Sequence, residues 1–194
     1  MMDKTIRILI FAAIVGLTGA YAYADEVSEC MPPGEHWKTI RSEYFTIYCH
    51  PGVKISKVEK KVKYSDYIFG EYFCSRDNLS VEEKLAAKVN YIMLKVKKIL
   101  NMNPEKMHLN LVIFSNQRQL RRAVSEKGAE KSNNSVVSCY IHNKETIYTT
   151  QKDISRNVLV HEIAHAVCDH YFIILPPPNI KEVLSQYVEM HFEE

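Results

Sequence analysis

The run Val158-Leu159-Val160-His161-Glu162-Ile163-Ala164-His165-Ala166-Val167 constrains this chain more than any other, because it puts two imidazoles and a carboxylate into an apolar helix. Residues four apart on an α-helix share a face, about 6 Å along the axis, so His161 and His165 can aim ring nitrogens at one ion. Glu162, next to the first histidine, can reach a water at that ion without binding the ion itself. The surrounding valines, leucine, isoleucine and alanines are apolar nearly all round, which predicts burial. Buried imidazoles need partners, and a metal ion is the partner this spacing suits. Downstream, Pro176-Pro177-Pro178 ends the helix by Leu175 and turns the chain.

A catalytic zinc takes three protein ligands and keeps one position for water, so two histidines leave a ligand to find. Cys168, at i+7 and i+3 from the histidines, shares their face roughly. A single straight helix cannot easily complete a tetrahedron, however, and a small buried packing residue is the simpler reading. Glu182 opens the helix that the prolines turn back, and Glu189 follows one heptad later on a similar face. Glu182 also has a purely structural reading, as the partner of an Asn179 cap.

These residues resemble the gluzincin family of zinc metallopeptidases, in which a second helix after the His-Glu-x-x-His helix supplies a glutamate ligand. The matching run is Glu182-Val183-Leu184-Ser185-Gln186-Tyr187-Val188, with Val183 where many relatives have glycine. The resemblance implies zinc held by His161, His165 and Glu182, with Glu162 as general base. Gln186 stands where thermolysin-like relatives carry an aspartate that orients a ligand histidine. The order of elements across most of the chain also looks like a compact peptidase domain of the same kind.

The first residues read as an export signal: Lys4 and Arg7, an apolar run from Ile8 to Leu17, then Ala22-Tyr23-Ala24 before Asp25. The expectation is a signal peptide over 1–24, one domain over 25–194, and a mature protein outside the cytoplasm with no stable membrane span. An uncleaved anchor is the alternative. Charge gives no reason to expect nucleic acid, since the net is only +2 over the chain. Five cysteines, Cys30, Cys49, Cys74, Cys139 and Cys168, all follow the signal, and an odd count leaves at least one unpaired.

In order, residues 25–40 read as an irregular lead-in, with Trp37 at the edge of the core. Glu43–His50 is β-rich and ends at Pro51-Gly52, so it reads as a strand and turn. Ile55 to Phe73 is loosely helical, its lysines forming a solvated face. Ser80 and Glu83 form a capping-box signature for a helix over Val81–Leu100. His108–Phe114 is apolar enough for a central strand. A short helix over Gln117–Ser125 and a polar loop over Gly128–Ser135 follow. A hairpin over Val136–His142 and Glu145–Thr150 comes next, then the metal helix capped by Asp153. Asn179 caps the last helix. The class expected is α+β, a small mixed sheet carrying a zincin-like active-site helix and a following glutamate helix.

The function expected is zinc-dependent hydrolysis of a peptide or protein substrate. Tyr140, His142, Tyr171 and Tyr187 are the candidates for an oxyanion donor. Because the chain stops at Glu194, soon after the glutamate helix, the expected rival is a zinc-stabilised binding module whose cleft another protein completes.

Overall fold

Leu109–Phe114 is the strand β3 around which the rest is layered: its six residues are all buried, as a continuous apolar run requires of a strand covered on both faces. The computed structural model describes residues 36–63, 79–125 and 137–193. Within them lie β1 (Lys38–Arg41), β2 (Phe45–Cys49), α1 (Ile55–Lys61), α2 (Val81–Leu100), β3, α3 (Gln117–Ser125), β4 (Ser138–Ile141), β5 (Thr146–Thr150), α4 (Arg156–Tyr171) and α5 (Pro178–His191). The signal segment, Cys30, Cys74, the chain from 64 to 73 and the 128–135 loop lie outside the described residues.

The strands form one mixed sheet in the order β1-β2-β3-β5-β4. The three inner strands run parallel, and the two edge strands pair antiparallel. The class is therefore α+β with a five-stranded mixed sheet. Period-two alternation divides β3 between two faces. Leu109, Leu111 and Ile113 join Phe45, Ile47 and Ile147 in the core that α2 and α4 cover. Phe114 lies on the other face, stacked on Tyr148 at 6.5 Å and met edge-on by Trp37 at 5.5 Å.

Helix α2 starts as its sequence signature requires: Glu83 N–H donates to Ser80 Oγ at 3.2 Å, and Ser80 N–H donates to Glu83 Oε2 at 2.8 Å. It ends at Asn101 in the left-handed region, φ 52°, with its N–H returned to Lys97 and Lys98 carbonyls. The lysines around α1 are solvent-exposed, as expected of a solvated face.

Four details differ from the sequence reading. Lys38–Arg41 is an edge strand rather than lead-in; only Ile40 of its four residues is buried, so it carries little apolar signal. The Ile55 helix ends at Lys61, and Val62 leaves helical geometry at ψ 79°. Ser155, not Asp153, caps α4, accepting from Val158 N–H at 3.3 Å. Asp153 instead accepts from Gln117 Nε2 at 2.5 Å and from Thr150 Oγ1, tying α3 to the end of β5. Finally, α5 begins with Pro178 at its first turn and has no side-chain cap. Asn179 lies inside that turn, so Glu182 is not engaged as a capping partner.

Candidate metal centre

Helix α4 is apolar along most of its length and buries nine residues, among them two acids, Glu162 and Asp169. His161 and His165 face the same way, rings 4.6 Å apart and nearly perpendicular, with Nε2 atoms 3.0 Å apart. The six-residue link after α4 brings α5 back against it. Glu182 then faces both histidines: Oε1 is 3.3 Å from His165 Nε2, and Oε2 is 3.6 Å from His161 Nε2. Among the described residues, this is the one group of three or more His, Cys, Asp or Glu side chains whose ligand atoms converge closely enough to hold a metal ion.

The separations fit an ion. Tetrahedral ligands at about 2.0–2.2 Å from a metal lie roughly 3.3–3.6 Å from each other; the two edges to Glu182, 3.3 and 3.6 Å, match that spacing, and the edge between the histidines is shorter at 3.0 Å. The outer ring nitrogens fit as well. His161 Nδ1 is 2.5 Å from Glu189 Oε1, and His165 Nδ1 is 3.3 Å from Ser185 Oγ. A ring that donates from Nδ1 presents a lone pair at Nε2. Two such lone pairs 3.0 Å apart repel unless a cation, a metal ion or a shared proton, lies among them. Burial, and then the neighbouring His161, push the His165 pKa down, which favours the neutral ring a metal requires.

Glu162 points elsewhere. One residue on from His161, it turns about 100° round the helix toward β4. There its Oε2 accepts from Tyr140 N–H at 2.8 Å, and the Ser138 side chain also bonds it. Burial dominates its electrostatics, pushing the carboxyl up to about 7, opposed mainly by His161. A pocket of about 220 Å³ opens beside it, bounded by Val137, Ser138, Val158, His161, Glu162 and Glu189.

The sequence reading is thus gathered in one place: His161, His165 and Glu182 together, Glu162 adjacent. Glu189 is not a competitor for the same position, because it approaches the far nitrogen of His161. Gln186 is solvent-exposed and has no part in the centre; Ser185, one residue earlier, is the group at His165. Cys168 is fully buried in the core, away from the ligands. Of the oxyanion candidates, His142 faces Asp169, Tyr171 lies edge-on to Phe172, and Tyr187 packs on His191. Tyr140 has a buried hydroxyl with no hydrogen-bond partner among the described residues, its pKa raised by burial and then by the Asp169 charge.

Ser185, Ser138 and Asp169 went unread in the sequence. Ser185 had a signal, following Glu182 at i+3, and so had Asp169, following His165 at i+4; Ser138 lies on β4 and had none. No family model, curated protein or solved structure matches the chain.

Proposed function

We propose that the protein is a zinc-dependent hydrolase acting on peptide bonds. The observation that carries the reading is the convergence of His161, His165 and Glu182 beside buried Glu162. Two imidazoles and a carboxylate form a donor set that suits zinc. When bound, the ion supplies Lewis acidity that polarises a carbonyl and acidifies water. Glu162 handles the proton: its carboxylate takes one from the attacking water and returns it to the leaving nitrogen. A carboxyl titrating near 7 suits both transfers at neutral pH. The Tyr140 N–H and the Ser138 side chain hold that carboxyl against β4, while Glu189 and Ser185 fix the two imidazoles. An edge strand bordering the centre favours an extended peptide as substrate, since main-chain groups can add to it. The His-Glu-x-x-His spacing and the returning glutamate helix favour a gluzincin-like enzyme. The apolar segment before Asp25 favours an exported one.

The test is zinc content and cleavage of a peptide library by the wild-type chain and by Glu162→Gln. The variant is expected to keep zinc and lose roughly 10²–10⁴-fold in rate. Full activity in the variant removes Glu162 from the mechanism. A second reading, a metal-stabilised module that binds a partner protein, is favoured by the bare apolar side chains on α5 and on the link before it. Ile173, Ile174, Val183 and Met190 are 103%, 86%, 60% and 70% exposed. Zinc binding without cleavage of any library peptide selects that reading.

A further inference from the structure

Nothing in the proposed hydrolysis uses Asp169, yet it is one of the two acids buried in α4, with a side chain only 2% exposed. Removing a carboxylate from water costs more than an ordinary ion pair returns, and an apolar pair of similar size would pack α4 against α5 at least as well. Its contacts show what the charge is for. One oxygen, Oδ1, accepts from Lys181 Nζ at 2.9 Å; the other, Oδ2, lies 3.4 Å from His142 Nδ1. Lys181 is the residue before Glu182, at the start of α5. His142 follows directly on β4, the strand whose Tyr140 N–H holds Glu162.

The first turn of α5 has few other anchors. Its link from α4 contributes no packing around Ile173 and Ile174, which project into solvent. The buried residues of α5 are Ser185 and Val188, both further along the helix than Glu182. The Asp169–Lys181 pair is therefore the tie nearest the third ligand.

We infer that Asp169 is a positioning residue for the metal centre: through Lys181 it sets the distance of Glu182 from the two histidines, and through His142 it sets β4 against Glu162. The inference rests on the metal reading of His161, His165 and Glu182. Asp169 touches none of the three ligands in this role. It acts on them through the two segments it joins.

The experiment measures zinc affinity of the full chain by competition with a chelating dye, and the urea midpoint of the metal-free protein, for wild type, Asp169→Asn, Lys181→Met, the double variant and Lys181→Arg. Lys181 is partly exposed and its methionine replacement keeps the apolar stem, so that variant folds even where Asp169→Asn does not. Positioning predicts that Asp169→Asn and Lys181→Met each weaken zinc binding by about 10–100-fold, as loss of an orienting group does. The double variant is then no weaker than the worse single, and Lys181→Arg stays within about threefold of wild type. A purely electrostatic role gives a different pattern, because removing the Lys181 ammonium beside a cation site would tighten zinc. Tighter or unchanged binding in Lys181→Met overturns the inference, as does a lowered urea midpoint with unchanged zinc affinity. Wild-type protein that binds no zinc overturns the metal reading itself, and this inference with it.

Discussion

Replacing Glu182 separates the centre from a chance gathering of polar side chains. Its two oxygens complete a triangle with the histidine nitrogens at 3.3 and 3.6 Å, whereas Glu189 meets the opposite nitrogen of His161 at 2.5 Å. The two ring nitrogens of an imidazole point away from each other, so these carboxylates cannot serve one ion alike. Structural zinc sites of four ligands bind with roughly 10–16 kcal/mol, or about 3 kcal/mol per ligand. Glu182→Gln is therefore expected to weaken zinc by at least about 100-fold, equivalent to roughly 2.7 kcal/mol. Glu189→Gln keeps an oxygen able to accept from His161 Nδ1 and is expected to cost about tenfold or less. Gln186→Ala, altering an exposed side chain, is expected to change nothing. Chelator competition on the purified chain gives the three affinities, with circular dichroism to confirm that each variant is folded. A larger loss in Glu189→Gln than in Glu182→Gln, or wild-type affinity in Glu182→Gln, refutes the ligand geometry.

Burial pushes the thiols of Cys49 and Cys139 up to about 12 and that of Cys168 up to about 11. Unfolded thiols ionise near 8.5, so the unfolded state loses protons first; stability is full below about pH 8.5 and falls as pH rises above it, by roughly 1–2 kcal/mol for the well-buried Cys49 between pH 8 and 10 and by less for the other two. A urea midpoint unchanged over that interval contradicts the burial, and Cys49→Ala is expected to flatten the fall. At the start of α4, Ser155→Ala is expected to cost about 1 kcal/mol in urea unfolding by removing its cap. Were Asp153→Ala to destabilise only by freeing the α4 N-terminus, the two changes would not add; independent contacts make them additive.

What the sequence made legible follows from where its periodicities were unopposed. Leu109–Phe114 has no polar residue but Asn110, and its central place followed from that alone. Ser80 and Glu83 announced α2 because both halves of the capping box are local in sequence. Local competition defeated the other caps. Asp153 and Ser155 are both good N-cap residues two positions apart, and the carboxylate was already taken by Gln117 and Thr150, 36 and three residues away. No local rule exposes a partner at that separation. Asn179 failed for a related reason, since Pro178 already supplies the φ that begins a helix and so places Asn179 inside the first turn rather than at its cap. β1 was missed because Lys38-Thr39-Ile40-Arg41 reads as surface, and an edge strand with one buried residue is surface.

The site was legible in proportion to how much of it lies on one helix. His161, Glu162 and His165 follow from helical geometry, but Glu182, Glu189 and Ser185 depend on how α5 returns, which no spacing specifies. Helix α4 nevertheless carries the clue in what it violates. A helix packed between a sheet and another helix gains nothing from His161, Glu162, His165 or Asp169 that apolar side chains would not supply at lower desolvation cost. Each of these four has a distant partner: His161 has Glu189, Glu162 has the Tyr140 N–H, His165 has Ser185, and Asp169 has Lys181. All of those partners lie on α5 or β4, the elements that flank the centre. A core helix selected for packing alone would scatter its polar residues toward solvent. Here these four pair with α5 and β4 instead, which is what the proposed metal centre calls for.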